Sequence, residues 1–445
     1  MLRCNMAKAK KSNTLSLEEK LEQALVPIDE QPYEVPENWC WIHLLNAFDN
    51  LTDSKKKLAT KEYLEEGIYP VVDQGQEFIG GYTDSKDMLY EGDLPVVVFG
   101  DHTRCTKYID FPFVQGADGV KVLRPKSFWN SKAFCYAFKS IDIPNLGYRR
   151  HYPLFKDFCI PVPPLAEQQR IVEQIESLFA KLDEAKDKLQ EVLDNYEARR
   201  TSILRKAVSG ELTQEWRVNA GVKKEDWKTI ALGKCGTWFG GGTPTTSKKE
   251  YWDGGTIPWI TSKDMKEKWI EDSLLHITQA GVDNSSANYS DKPAVLFVMR
   301  SGILRRIFPV CMVRMPFTVN QDLKALIPEK IQQEYLYWVC TAYEKDIRDN
   351  CMKSGTTVES IEAKKLQNYE IPLPTEAEQA EIVRIIETLT TKEETVKCSA
   401  EDVIDKIELM KKSILAKAFR GELGTNNPDE KSAVELLKNI LVETE

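Results

Sequence analysis

IPVPPLAEQQRIVEQIESLFAKLDEAKDKLQEVLDNYEARRTSILRKAVSGEL, residues Ile160–Leu212, occurs twice in this chain. The second copy, Ile371–Leu423, begins 211 residues later and aligns over all 53 positions without a gap, with 24 identities. The heads read IPVPPLAEQ and IPLPTEAEQ; the ends read SILRKAVSGEL and SILAKAFRGEL. A solenoid repeats every ~20–50 residues, so the wider spacing here marks a duplicated half-molecule with an internal two-fold.

The repeat has a heptad pattern. In the first copy apolar residues fall at Ile171, Ile175, Leu178, Leu182, Ala185, Leu189, Val192, Tyr196 and Ile203. The steps alternate four and three, a seam averaging about 3.5 residues per turn, and only Arg199 interrupts it. The second copy repeats the seam from Ile382 to Ile414, through Ile386, Leu389, Val396, Ala400, Val403, Ile407 and Met410, with Glu393 as its one polar member. Pro161, Pro163 and Pro164 forbid a helix before the first seam, as Pro372 and Pro374 do before the second. Gly210 and Gly421 suit the far ends. A helix from about Ala166 to Ala207 would run roughly 60 Å at 1.5 Å per residue. Each helix either packs on its own neighbouring domain or zips against the other. The seams favour zipping, antiparallel, with the globular parts at opposite ends of a rod.

The segments between the helices repeat more faintly. Trp39–Leu44 can be set beside Trp227–Leu232 at an offset of 188, which also pairs Lys61-Glu62-Tyr63 with Lys249-Glu250-Tyr251. FVQGADGVKVL (Phe113–Leu123) resembles FTVNQDLKALI (Phe317–Ile327), now offset by 204. Strand signals at Pro95–Phe99 and Ala294–Val298 alternate with short helices such as Gln332–Tyr343. The expectation is two α+β domains on one scaffold, with different loop lengths and different exposed residues. A two-fold protein suits a two-fold partner, and duplex DNA is the commonest one.

At 445 residues, 42% hydrophobic and 29% charged, the chain is too long for one core and ordinary for a soluble protein. No run is long and apolar enough for a membrane helix. The basic N-terminus lacks the apolar core of a secretory signal, so a cytoplasmic protein is expected. The ten cysteines form no C-x-x-C pair and the four histidines are scattered, which leaves no zinc spacing and predicts reduced, mostly buried thiols. Net charge of −9 argues mildly against non-specific nucleic-acid binding. The acid excess sits partly in the two repeats; residues 38–159 hold 15 basic against 16 acidic side chains and residues 224–370 hold 20 against 19.

The order of elements, globular domain, PxPxxAEQ-headed helix ending in SILxKAxxGEL, then both again, resembles the specificity subunits (HsdS) of type I restriction–modification enzymes. EVPENWCW (Glu34–Trp41), VVFGDHTR (Val97–Arg104), GGGTPTTSKKEYW (Gly240–Trp252), FVMRSGILRR (Phe297–Arg306) and VNQDLKAL (Val319–Leu326) fit as well. The resemblance covers nearly the whole chain. It implies an α+β fold in which two pseudo-symmetric globular target recognition domains are separated by two long helices forming an antiparallel coiled coil. The expected division is an N-terminal arm with a short helix (1–36), target recognition domain 1 (37–159), helical spacer 1 (160–222), target recognition domain 2 (223–370), helical spacer 2 (371–425) and a C-terminal tail helix (426–445). It further implies that each domain reads one half of a bipartite, asymmetric duplex DNA site. The spacers would dock two methyltransferase (modification) subunits, which restriction/translocase subunits join.

DNA readers need Arg and Lys for phosphates and guanine edges, with Asn, Gln, Ser and Thr for other edges. Tyr148, Arg149 and Arg150 precede the first IPxP element, and Thr356 and Thr357 lie at nearly the equivalent place before the second; contact with DNA and a solvated turn both remain open. The same holds for Arg104 and Lys107, beyond the strand ending at Phe99-Gly100. In the second domain Gly240–Gly242 leads to Ser247, Lys248 and Lys249, a loop suited to a phosphate or simply to a turn. Arg300, Ser301, Arg305 and Arg306 sit at a strand end, with DNA contact expected from one of the three arginines. Lys55–Lys57 reads as a solvated face. Glu167 and Glu378, in the first helical turn, are expected to complement the helix dipole; a docking role is the other reading.

No [DN]-P-P-[YFW] pocket for a flipped base, no F-x-G-x-G strand and no G-x-x-x-x-G-K-[ST] loop occur in the sequence. The chain is therefore expected to be non-catalytic and to carry no cofactor or metal. S-adenosylmethionine, ATP and Mg belong to partner subunits on this reading. Pro428–Lys431 reads as the lead-in to a capped helix at Ser432–Val442. The alternatives are a fragment of a single-chain methyltransferase–specificity fusion and a non-catalytic coiled-coil scaffold.

Overall fold

The computed structural model describes residues 17–116, 119–353 and 358–443. It divides into two compact units, Met1–Lys188 with Val403–Glu445, and Leu189–Asp402. Both divisions fall inside the repeated helices. Each unit therefore holds one globular domain, the head of the helix that follows it and the tail of the other helix.

The first domain is carried on a two-stranded stalk. Cys40–His43 enters and Cys159–Val162 leaves, antiparallel, with Cys40 opposite Val162. Beyond the stalk, an antiparallel sheet runs in the order Phe48–Asn50, Val120–Pro125, Val96–Gly100, Thr106–Ile109. A second sheet orders Gly81–Thr83, Tyr69–Val72 and Val114–Gln115, the last two parallel. Val96–Gly100 is buried at every position, as a continuous β-branched run on a central strand should be. Helix Ser131–Ser140 starts where the Asn130 side chain accepts the N–H groups of Lys132 and Ala133. Its Phe134 and Phe138 join Phe99 and Phe155 in an aromatic core, neighbouring ring centroids lying 5.0–5.9 Å apart.

The second domain repeats this plan. Its stalk pairs Lys228–Ala231 with Glu370–Leu373. The main sheet keeps the order, Gly236–Gly240, Leu323–Pro328, Ala294–Val298, Val310–Val313, and gains Trp269–Ile270 at its edge. The other sheet orders His276–Ile277, Ile257–Ile260 and Phe317–Val319, and gains Tyr289–Ser290. Both extra strands come from residues 261–293, which replace the shorter 73–95 of the first domain. The faint repeat in the sequence is thus one scaffold with unequal loops.

The second long helix is unbroken from Glu376 to Ala418, whereas the first is interrupted, Leu165–Asp194 and then Tyr196–Val208. The single continuous helix expected there is corrected at Asn195. Its side-chain amide donates to the Glu191 carbonyl at 2.8 Å, in competition with its own backbone N–H, and ψ relaxes to −1°. Gly210 and Gly421 lie just past the helix ends with φ of +80° and +76°. A Cβ at Gly421 would sit 2.5 Å from Pro36 Cγ, and one at Gly210 2.8 Å from the Arg217 guanidinium.

Within each unit the helices run antiparallel. In the first, Asp183 pairs with Lys411 while Lys186, three residues on, pairs with Glu408, three residues back. In the second, Tyr196 donates to Glu394 and Arg199 pairs with Glu393. The heads also do what the other arrangement required. Ile171 and Ile175 are buried in the first domain's core and Ile382 and Ile386 in the second's. Farther along, the seam is only half covered: Val396 is 47% exposed, Val403 40% and Met410 51%.

At the foot of each stalk a carboxylate is fully buried. Glu167 accepts from the Trp39 indole (2.7 Å), Asn426 Nδ2 (2.8 Å) and Thr425 Oγ1 (3.1 Å). Glu378 accepts from the Trp227 indole (2.7 Å), Thr213 Oγ1 (2.8 Å) and Arg217 Nη1 (2.6 Å). The neighbouring glutamines match too: Gln168 Oε1 accepts from Asn130 N and Gln379 Oε1 from Gln332 N. Both glutamates lie in the first helical turn, as expected, and are in addition buried at a junction. Among the described residues no helix is long and apolar enough to cross a membrane.

Candidate nucleic-acid interface

In the first domain, candidates far apart in sequence meet through Asp101, at the turn between strands Val96–Gly100 and Thr106–Ile109. Its carbonyl accepts from His151 N at 2.8 Å, and its carboxylate from Tyr152 N at 2.7 Å. His151 is fully buried. Leu146 N donates to its Nε2 at 3.1 Å, so Nε2 is unprotonated and Nδ1 donates to the Asp101 carbonyl at 2.8 Å. The imidazole thereby bolts the 144–151 loop to the hairpin. Gln74 adds a third loop, its Oε1 accepting from His102 N and its carbonyl from Thr103 Oγ1.

This frame leaves Tyr148 83% exposed, its ring stacked on His102 with centroids 4.7 Å apart and planes 11° from parallel. Arg149 and Arg150 follow, both exposed. Arg104 has φ of 62°, a left-handed conformation rare outside glycine, and its Nη1 donates to the Ile143 carbonyl at 2.8 Å. Lys107 is corrected. It is buried, with its ammonium on the carbonyls of Asp73 (2.9 Å) and Glu77 (2.5 Å), so it builds the loop from inside and presents no charge to a partner.

The second domain assembles a cluster at the end of the corresponding strand, with other residues and other bonds. The Asp322 carbonyl accepts from Met299 N (2.7 Å) and Arg300 N (3.2 Å), and Gln321 Oε1 accepts from Thr243 Oγ1 at 2.5 Å. One turn thus ties the Gly-rich loop to the hairpin of Arg300, Ser301, Arg305 and Arg306. Ser301 N donates to the Glu359 carbonyl at 3.1 Å, and the Ser301 hydroxyl accepts from Ile303 N as a helix cap. Arg305 is hydrogen-bonded to the Glu359 carboxylate, which it holds below the usual carboxylate range. Arg300 and Arg306 are exposed.

The Gly240–Gly242 run packs inward. A Cβ on Gly241 would lie 1.7 Å from the Val319 carbonyl, and the Gly242 carbonyl accepts from the Trp259 indole at 3.0 Å. Close packing explains Gly241 and Gly242, whose Cβ positions would fall on the Val319 carbonyl and on Ser286; Gly240 has room for a side chain. Ser247, Lys248 and Lys249 are exposed beyond the run. The Lys248 ammonium lies 4.8 Å from the Tyr251 ring centroid and donates to its hydroxyl at 2.9 Å. Thr356 and Thr357 lie outside the described residues.

Sequence reasoning singled out the arginines but not their supports. His102, Gln74, Gln321 and Thr243 belong to the clusters, and His151 holds one of them together. Only the paired FVQGADG and FTVNQD segments hinted at the turn carrying Gln321. What the two clusters share is basic and hydrogen-bonding reach on ordered loops, the chemistry that phosphates and base edges require.

The chain matches the family described as "type I restriction modification DNA specificity domain" twice, over residues 48–194 and 224–404. Each match covers one domain and much of the helix that follows it. The chain is 30% identical over 366 residues to the type I restriction enzyme EcoR124I/EcoR124II specificity subunit of Escherichia coli, covering 79% of this chain and 86% of that one. It is 27% identical over 302 residues to the EcoKI specificity subunit of Escherichia coli strain K12, covering 64% and 63%. Among solved structures, the HsdS subunit from Thermoanaerobacter tengcongensis superposes with a TM-score of 0.56 at 18% identity, over 89% of this chain and all of that one. A chain from a structure of the type I R-M system reaches 0.58 at 18% identity, over 88% and 100%. At that identity the structural likeness speaks for the fold alone.

Proposed function

The chain belongs to the type I restriction modification DNA specificity family, and from that premise we propose that it chooses the DNA site for a multisubunit methyltransferase and endonuclease. Each domain reads one half of a bipartite duplex site. The observation that carries this is the repeated loop cluster: one scaffold, locked in each copy by its own hydrogen bonds, with Tyr148, Arg149 and Arg150 presented in one copy and Arg300, Arg306, Lys248 and Lys249 in the other. Unlike side chains on like frames read unlike half-sites, so the target is asymmetric.

The same reading makes the chain non-catalytic. Two methyltransferase subunits, with the restriction/translocase subunits, supply the chemistry and bind S-adenosylmethionine, ATP and Mg. Val396, Val403 and Met410 leave apolar surface on the long helices, which suits coverage by a partner. Co-expression with the modification subunits, followed by mapping of methylated adenines across a genome, tests the proposal. Two short specific elements separated by a fixed run of unspecified base pairs are expected. Methylation at one continuous motif, or by this chain alone, would overturn it.

A further inference from the structure

We infer that Glu167 and Glu378 are positioning residues that set the angle at which each recognition domain meets DNA; this rests on the two-site reading above. Each domain is entered and left through a stalk of two four-residue strands, and its remaining ties to the long helix include the packed helix head and one glutamine, Gln168 or Gln379. A two-strand ladder fixes register along the strands but resists bending and twisting weakly. At the stalk's foot, three separate pieces of chain converge on one carboxylate.

In the second unit these pieces are Trp227, the residue before the entering strand; Glu378 itself, in the first turn of the helix that follows the leaving strand; and Thr213 with Arg217, just past the tail of the other helix. The first unit has the same three, Trp39, Glu167, and Thr425 with Asn426. Both carboxylates are fully buried, so no water substitutes for a missing donor without opening the junction. The indole bond ties each carboxylate to the residue before the entering strand. In the first unit Asn426 also donates to Asn38 Oδ1 at 2.8 Å, beside Trp39, and in the second the Arg217 guanidinium lies 5.7 Å from the Trp227 ring centroid. Removing the indole bond leaves the helix-to-tail bonds and the glutamine ties in place and loosens the hold of the junction on the stalk.

The two junctions differ in charge. Glu378 is paired with the buried Arg217, whereas Glu167 is held by neutral donors. The second junction therefore depends on its charge, and Glu378→Gln should disturb it more than Glu167→Gln disturbs the first.

The test uses the complex with its modification subunits and a set of duplexes with constant half-sites and a spacer one base pair shorter, native, or one longer. A rigidly held pair of domains should methylate the native spacer at least about tenfold faster than either neighbour, the scale on which ångström misplacements act. Trp227→Phe and Trp39→Phe keep ring packing and remove only the indole donor. In assembled complexes each is expected to cut that preference to about threefold or less, with half-site bases unchanged. A merely structural role would lower the rate equally at every spacer, and that outcome overturns the inference, as does an unaltered preference. A wild-type complex indifferent to spacer length would overturn the two-site reading itself, and this inference with it.

Discussion

Arg199 Nε donates to Glu393 Oε2 at 2.9 Å: the one polar residue in each apolar seam is the partner of the other. Their side chains are 35% and 21% exposed, and Arg199 also caps the Val192 carbonyl at 3.1 Å. A matched polar pair in a seam penalises every register but one.

The energetic consequence lies between the exposed and buried limits. Arg199→Ala strands Glu393 against apolar neighbours and should destabilise the second unit by about 1–3 kcal/mol. The double change Arg199→Leu with Glu393→Leu should recover most of that loss, because it completes the seam. Thermal melting of the three proteins checks this; a double variant as unstable as the single one would show that the pair is not coupled.

Arg170 reaches from the first helix to the C-terminal tail, bonded through both Nη atoms to Glu430 at 2.7 and 2.9 Å. That hydrogen bonding holds the Glu430 carboxyl below its ordinary range. The sign follows: a depressed folded-state pKa gives stability that is present above the unfolded value, near 4.3–4.5, and is lost as pH falls through the folded one. Glu430→Gln should therefore lower stability at pH 6–7 by up to about 1 kcal/mol, the pair being partly exposed, and make little difference below about pH 3. Denaturant midpoints at the two pH values decide it. An equal loss at both would assign Glu430 a packing role.

The arginines and lysines divide by environment. Arg149 and Arg150 are exposed, whereas the Lys107 ammonium is spent on two carbonyls. Removing one phosphate-binding cation lowers the slope of log K against log salt by about 0.9. Arg149→Ala and Arg150→Ala should each flatten the slope by up to that amount. Lys107→Ala should lower stability by about 1–3 kcal/mol, leaving buried acceptors unfilled, and leave the slope of the folded fraction unchanged. Anisotropy titrations of the complex at several salt concentrations separate the two.

The sequence carried what is periodic or duplicated. The alternating steps of Ile171 to Ile203 gave the helices, the proline heads and Gly210 and Gly421 their ends, and Pro95–Phe99 and Ala294–Val298 their central strands. What it did not carry depends on pairing across long separations. Nothing near His151 announces that it closes on Asp101, 50 residues away, and nothing near Lys107 announces carbonyls 30 and 34 residues earlier. Glu167 and Glu378 look like ordinary first-turn acids until Trp39 and Trp227 fold back onto them. The break at Asn195 was hidden for another reason: it lies off the seam, between Val192 and Tyr196, and leaves the heptad steps unchanged.

If the long helices set the distance between half-sites, their length is the measuring device. Inserting one heptad in each helix, after Lys188 and after Asp402, keeps the a/d pattern in phase. It also lengthens each helix by about 10 Å, roughly three base pairs at 3.4 Å each. Both insertions are needed, because lengthening one helix alone mismatches pairs such as Asp183–Lys411 and Arg199–Glu393. The doubly extended protein should keep both half-sites and shift its preferred spacer upward by about three base pairs. Genome-wide methylation mapping reads half-sites and spacer in one measurement. An extended complex that still methylates the original spacer would show that the distance is set elsewhere, in the partner subunits or in the DNA.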